Sequence, residues 1–194
     1  MGEDKALKTF LERPLIQRVA ERLSSIADEM IVTTNRPEAY AFLNLPLFPD
    51  LKPGRGALGG LYTAIASAKH PTVAVVACDM PFASPQLLEA AGKLLVELNV
   101  DVVIPGGATQ AERAGKLGAG YEPLHAVYRR ETCLPAIEAA MDADQWKVIA
   151  WFPQVKVHVL TPEDVKPYDP SGLAFWNMNT PEEFARAEEI ATSQ

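Results

Sequence analysis

Val73-Ala74-Val75-Val76-Ala77-Cys78-Asp79-Met80-Pro81 constrains this chain more than any other stretch. An apolar run that stops abruptly on a carboxylate and then a proline reads as a strand buried on both faces, with Asp79 delivered to its end. Ligands of open α/β sheets sit beyond the carboxyl ends of such strands, so Asp79 is where chemistry is expected first.

The rest of the chain alternates between strand-like and helix-like apolar spacing, which predicts βαβ units over a mostly parallel sheet in one domain spanning 1–194. Leu15, Ile16, Val19, Leu23 and Ile26 make one face of a first helix, and 30–34 follows as a strand. Asn35-Arg36-Pro37-Glu38 opens a short helix, 45–48 reads as a small strand and 59–68 as the next helix. Ser84-Pro85 supplies a cap and a first-turn proline to a helix reaching about residue 98. Strands are expected at 101–104, 124–128 and 155–160, a helix at 131–141, and a short extended piece at 173–176. Between them, 106–120 is a loop rich in Gly, Ala and polar residues. Thr180-Pro181-Glu182-Glu183 carries the reciprocal Thr and Glu of a capping box and starts the last helix.

Charge and composition exclude several classes. A net charge of −7 and a pI near 5.0 give no basic footprint for nucleic acid. The longest apolar runs fall short of the roughly 20 residues a membrane helix needs, and no basic segment leads into an apolar one as in a secretory leader. The cytoplasm is the expected location. Two cysteines, Cys78 and Cys133, make neither a disulfide framework nor a metal knuckle and are expected to be reduced core thiols. A doubly wound sheet ordinarily opens with a central strand and a glycine-rich turn, whereas Met1-Gly2-Glu3-Asp4-Lys5 leads directly toward a helix. A strand ahead of Met1 is therefore expected, because its loss leaves two buried strands unpaired on one side.

Six segments carry a resemblance in register along essentially the whole chain: Met1-Gly2-x-Asp4-Lys5-Ala6-Leu7, Arg13-Pro14-Leu15-Ile16, Gly56-Ala57-Leu58-Gly59-Gly60-Leu61, Cys78-Asp79-Met80-Pro81, Glu122-Pro123-Leu124-His125-Ala126-Val127-Tyr128 and Asn177-Met178-Asn179-Thr180-Pro181-Glu182-Glu183. In this order they resemble the molybdenum cofactor guanylyltransferases. In that family an opening strand and a Leu-Ala-Gly-Gly-x-Ser-x-Arg loop precede Met-Gly, and neither is in this sequence. The resemblance implies a three-layer α/β/α Rossmann-like nucleotidyltransferase fold with a mostly parallel, mixed central sheet lacking its first strand and glycine-rich loop. It further implies that GTP and molybdopterin are joined as a dinucleotide with release of pyrophosphate, assisted by Mg²⁺. Other proteins of cofactor biosynthesis and the acceptor molybdoenzymes are the partners it suggests.

By the same resemblance, Asp79 is the magnesium-binding aspartate and Asn179 supplies a second, neutral oxygen to the metal, a role Asn177 can exchange with it. Lys5 is the lysine that contacts nucleotide phosphates, and an ammonium suits that task as a point charge. Asn35, Asp50, Gly56 and Gly59 lie where the family meets the nucleotide. Each has an ordinary reading as well. Asp79 can cap the turn at Met80-Pro81, Asn179 can order the start of the last helix, and Lys5 can be a solvated terminal residue. Asn35 sits three residues before Glu38, as in a capping box, and Asp50 can be a turn residue. His125 reads as a partly buried, hydrogen-bonded strand histidine, and Trp146, Trp151 and Trp176 as packing or interface groups. Arg113 and Lys116 are candidate cations for the molybdopterin phosphate, against a solvated loop.

Three alternatives stand beside this reading. The Gly-Ala-Leu-Gly-Gly form favours guanylyl over cytidylyl transfer, though molybdopterin cytidylyltransferases and other MobA-like transferases remain alternatives. A degenerate, non-catalytic relative would bind partner proteins only, but would have no use for Lys5, Asp79 and Asn179. Finally, Gly54-x-Gly56-x-x-Gly59 followed by Asp79 satisfies the spacing of an NAD-dependent oxidoreductase. There the context fails, since Pro49, Asp50, Lys52 and Pro53 precede it where an apolar strand is required.

Overall fold

The computed structural model describes residues 4–106, 120–178 and 180–193. Strands β1 (Thr9–Phe10) and β2 (Arg13–Pro14) make a small antiparallel hairpin, followed by helix α1 (Leu15–Leu23). Strand β3 (Val32–Thr33) pairs in parallel with β4 (Leu47–Phe48), the one-turn helix α2 (Pro37–Tyr40) lying between them in sequence. Helix α3 (Gly56–Ser67) then leads to β5 (Thr72–Val76), and α4 (Pro85–Glu97) to β6 (Val102–Pro105). Strand β7 (His125–Arg129), α5 (Arg130–Asp142), β8 (Val157–Leu160), α6 (Pro162–Val165) and α7 (Pro181–Thr192) complete the order.

Four strands form the central sheet in the order β5-β7-β6-β8. β7 is antiparallel to both β5 and β6, and β8 is parallel to β6. So β5, β6 and β8 share one direction and β7 alone is reversed, which makes the sheet mixed yet mostly parallel. Alternation along its strands sorts the core. Val102 and Ile104 of β6 and Ala126 and Tyr128 of β7 face α3 and α5, where Leu58, Leu61, Ile65 and Ile137 are buried. Val103 and Val127 point the other way, toward Leu87, Leu88 and Leu95 of α4. Two helical layers thus sandwich the sheet, as both-face burial demands.

Several elements differ from the sequence reading. The first helix ends at Leu23, and Ser24–Ile26 continues as a tight 3₁₀ turn. α3 begins at Gly56 and ends at Ser67, earlier at its start than the 59–68 expected, so Gly56 to Leu58 are helical as well. Residues 173–176 form a turn closed by Trp176 N–H donating to Leu173 C=O at 3.0 Å, not a strand. Cys133 is buried as expected, but Cys78 is exposed: among the described residues no strand pairs with that edge of β5. Among the described residues no helix is long and apolar enough to cross a membrane.

Candidate functional site

Asp79 stands three residues past β5, at the carboxyl end of the sheet and half-buried. The chain on either side of it is fixed from several directions. Its carbonyl accepts from Met178 N–H at 3.4 Å, which lays the Asn177-Met178 segment against it. Downstream, Arg22 Nε donates to Ala83 C=O at 2.7 Å, and the Ser84 hydroxyl donates to Tyr168 C=O at 2.9 Å while accepting Leu87 N–H to cap α4. Ser84 N–H donates to His125 Nε2 at 3.1 Å. His125 is fully buried, edge-on to Phe175, and burial pushes its pKa down to about 4. It is a neutral structural acceptor tying β7 to the Asp79 loop, in keeping with its sequence reading. The approach to Asn177 is ordered by the buried carboxylate of Asp169, which accepts from the Ser171 hydroxyl and from Leu173 and Ala174 N–H at 2.9–3.1 Å. Asn179 lies outside the described residues, as do Arg113 and Lys116 in the 107–119 segment.

Asn35 and Asp50 are brought together. They follow β3 and β4, whose parallel pairing sets their two chains side by side. Asn35 Nδ2 donates to Asp50 Oδ2 at 2.8 Å, and Asp50 N–H donates back to Asn35 Oδ1 at 2.9 Å. The capping-box reading of Asn35 is therefore overturned: α2 is preceded by Arg36 and has no side-chain cap, because the Asn35 amide is used across the strand pair. Lys5 is exposed in a single 3₁₀ turn, Lys5–Leu7. That turn is held by Asp4, whose carboxylate accepts from Ala6 N–H at 3.2 Å and from the Tyr40 hydroxyl at 2.8 Å and is paired with the Arg36 guanidinium. Residues Lys5 and Asp4 thus share the rim with Cys78, whose thiol is pushed up to about 11 by desolvation and by the Asp79 and Asp4 carboxylates.

The glycine segment shapes the start of α3. Gly54 and Gly56 have φ of +79° and +55°, a region that favours glycine. At Gly59 a Cβ would come within 3.0 Å of Lys52 C=O and of Arg55 Cβ, so glycine allows the loop to pack down on the helix. Lys52 and Arg55 flank this helix start, where backbone amides favour anions. Arg55 is braced by Asp144 at 3.0 Å and lies over the Trp146 ring at 4.7 Å. Trp146 is 54% exposed and so is not a packing group, unlike the buried Trp151.

Asp4, Lys52, Arg55, Asp169 and Glu122 were not singled out by sequence. Glu122 is half-buried at the same end of the sheet, its N–H donating to Pro105 C=O at 3.1 Å, and burial raises its pKa. Asp4 and Glu122 both sit inside segments of the resemblance, and Lys52 and Arg55 stand on either side of Gly54, just ahead of Gly56; those positions were the available signal.

A four-stranded mixed sheet, a carboxylate just past a strand end and a glycine-shaped helix start are the parts of a nucleotide-handling α/β site. The family model of the MobA-like NTP transferase domain matches residues 1–157. The chain belongs to that family. The MobA-like domain here is 33% identical over 190 residues to a molybdenum cofactor guanylyltransferase of Desulfosudis oleivorans, covering 96% of this chain and 87% of the relative. A probable molybdenum cofactor guanylyltransferase of Pelotomaculum thermopropionicum is 33% identical over 193 residues, covering 98% and 87%. Its fold matches that of the molybdopterin-guanine dinucleotide biosynthesis protein A of Archaeoglobus fulgidus with a TM-score of 0.81 and 24% identity, covering all of this chain and 93% of that one. The MobA-like chain is a nucleotidyltransferase, and the degenerate-scaffold and NAD-dependent readings lose their footing. In addition, Gly56 and Gly59 of the dinucleotide pattern lie inside α3 and Gly54 just ahead of it, and among the described residues no strand directly precedes them, since β4 ends at Phe48.

Proposed function

We propose that this site transfers GMP from GTP to molybdopterin, forming molybdopterin guanine dinucleotide and pyrophosphate. The observation that carries the reading is Asp79 held at the carboxyl end of β5 with the Asn177-Met178 segment bonded to it, in a chain whose relatives are named for this transfer. The terminal phosphate oxygen of molybdopterin attacks the α-phosphorus of GTP, and the bond to the β-phosphate oxygen breaks as pyrophosphate departs. Such a transfer rests on positioning and on neutralising charge, with no covalent nucleophile.

The donor set fits Mg²⁺, which keeps several waters and takes one or two carboxylates together with substrate phosphate oxygens. Asp79 offers the carboxylate, and Asn179 is assigned the neutral oxygen. When bound, the cation supplies positive charge beside the phosphates. Lys5, Lys52 and Arg55 supply fixed positive charge of the chain's own, while Asn35 and Asp50 order the strand ends that meet the nucleotide. The first turn of α3 offers backbone amides to an anion.

The test is product formation. With molybdopterin and Mg²⁺, GTP is expected to yield pyrophosphate and a guanine dinucleotide identified by mass, and CTP at the same concentration little of either. Dinucleotide formed from CTP at an equal or higher rate contradicts the assignment of GTP.

A further inference from the structure

Asp79 divides the carboxyl edge of the sheet. On one side of it lie Asn35 and Asp50, which follow β3 and β4, and α3 packs against both β3 and β5. On the other side is β7, the strand paired with β5. Ala77 N–H donates to Leu124 C=O at 2.8 Å, so the chains bearing Asp79 and Glu122 leave the sheet side by side. A turn closed by His125 N–H donating to Glu122 C=O at 3.0 Å, together with the bond from Glu122 N–H to Pro105 C=O, fixes the Glu122 backbone at the junction of β7 and β6.

The face that Glu122 takes follows from its neighbour. Tyr121 pairs with Gly106 and lies with Phe152 on the α5 side of the sheet. Successive residues of an extended segment point to opposite faces, so Glu122 turns to the α4 side. That face carries His125, edge-on to the partly exposed Phe175, and the chain runs from Phe175 to the bond between Met178 N–H and Asp79 C=O.

The carboxyl group itself is the unusual feature. Asp4, Asp50 and Asp169 each accept from donors of the chain. Among the described residues none donates to the carboxyl of Glu122 or pairs with it, and its half-burial works against its charge with nothing to offset the cost. A carboxylate held in that state favours a ligand that brings hydrogen-bond donors. Phosphates repel it, which leaves the heterocycles of the two substrates. Pterin and guanine both present a ring N–H beside an exocyclic amino group, two parallel donors that match the two oxygens of a carboxylate. The nucleotide is assigned to the Asn35–Asp50 side, so position decides between them.

We propose, resting on the GMP-transfer reading for the acceptor's identity, that Glu122 selects the acceptor: its carboxylate takes the N3–H and 2-amino donors of the pterin ring, on the side of Asp79 away from the nucleotide. A glutamine amide in its place matches one donor and opposes the other, and a leucine matches neither.

The test reads binding apart from transfer. 6-Hydroxymethylpterin and 6-hydroxymethyllumazine, in which an oxygen replaces the 2-amino group, are titrated by their own fluorescence with the folded chain at pH 7, with Glu122→Gln and Glu122→Leu alongside. The parent chain is expected to prefer the pterin at least roughly tenfold, because the lumazine sets an oxygen against the carboxylate, and both variants are expected to lose that preference. Affinity for GTP by calorimetry stays unchanged, and Tm stays level or rises because a desolvated charge has been removed. In the transfer assay KM for molybdopterin rises by a similar factor while KM for GTP holds. Equal binding of pterin and lumazine by the parent chain, or binding of neither, overturns the proposal, as does a preference that survives in both variants. A GTP affinity that falls while pterin binding is unchanged also overturns it, placing the carboxylate at guanine. A chain that discriminates pterin from lumazine through Glu122 yet transfers no GMP contradicts the GMP-transfer reading and leaves Glu122 as the pterin-selecting group, so the two fail separately.

Discussion

At the scale of single residues, the site is built from groups that hold one another. His125 makes this measurable. Its folded pKa is depressed from 6.5 to about 4 by burial. The unfolded chain takes up a proton near pH 6.5 while the folded chain refuses it, so the contribution of neutral His125 is complete above pH 6.5 and is lost progressively as pH falls toward 4. At about 1.4 kcal/mol per pKa unit the full loss is of the order of 3 kcal/mol. In His125→Gln the amide oxygen still accepts from Ser84 N–H, but nothing titrates. Urea denaturation at pH 7 and pH 5 is expected to show a larger drop for the parent chain than for the variant; equal drops contradict the assignment. None of this coupling was visible in sequence. The buried state of His125 followed from its apolar neighbours Leu124 and Ala126, but its partner Ser84 lies 41 positions away. Asn35 shows the reverse error: a local cap was a sound reading of Asn35 and Glu38, and a partner 15 positions on displaced it.

At the scale of elements, the apolar runs and caps were legible because their causes are local. The 73–81 run forms β5 and leads to Asp79 three residues past its end, although only Val73 of that strand is buried and Ala74 is exposed, so it is not buried on both faces as the run suggested; Ser84 caps α4, and Thr180 with Glu183 closes the capping box of α7. The start of α3 was not legible in the glycine segment. A helix starting at Gly56 places four residues before Gly60 that intrinsic propensity assigns to a turn, and packing against α5 and β3 overrides that preference. This yields a contrast between neighbouring glycines. Gly59→Ala drives a Cβ against the Lys52 carbonyl, and the loop bearing Lys52 and Arg55 must move; a loss of about 1–3 kcal/mol and weaker nucleotide binding are expected. Gly60→Ala meets nothing within 4 Å and sits in the helix, so a gain of about 0.5–1 kcal/mol is expected. Thermal unfolding of the two variants side by side decides it, and identical behaviour would show that the close approach at Gly59 has no consequence.

At the scale of the molecule, three strands of one direction and a reversed β7 carry Asp79, Pro105 and Leu160 to one end of the sheet, and β7 returns from that end through Glu122 and His125. The carboxylate, the glycine-shaped helix start and the Asn35–Asp50 pair reach the site from separate parts of the chain, and the sheet supplies their common frame. Alternating apolar patterns revealed the layers, whereas the reversal of β7 depends on non-local pairing. In the proposed transfer, Asp79 is the group through which Mg²⁺ and GTP are held together. Calorimetry of the folded chain with GTP, in Mg²⁺ and in excess chelator, repeated with Asp79→Ala, tests that most directly. Binding that requires Mg²⁺ and weakens at least roughly tenfold in the variant is the expected result, whereas Mg²⁺-dependent GTP binding of equal strength in both proteins would place the metal elsewhere and contradict the account.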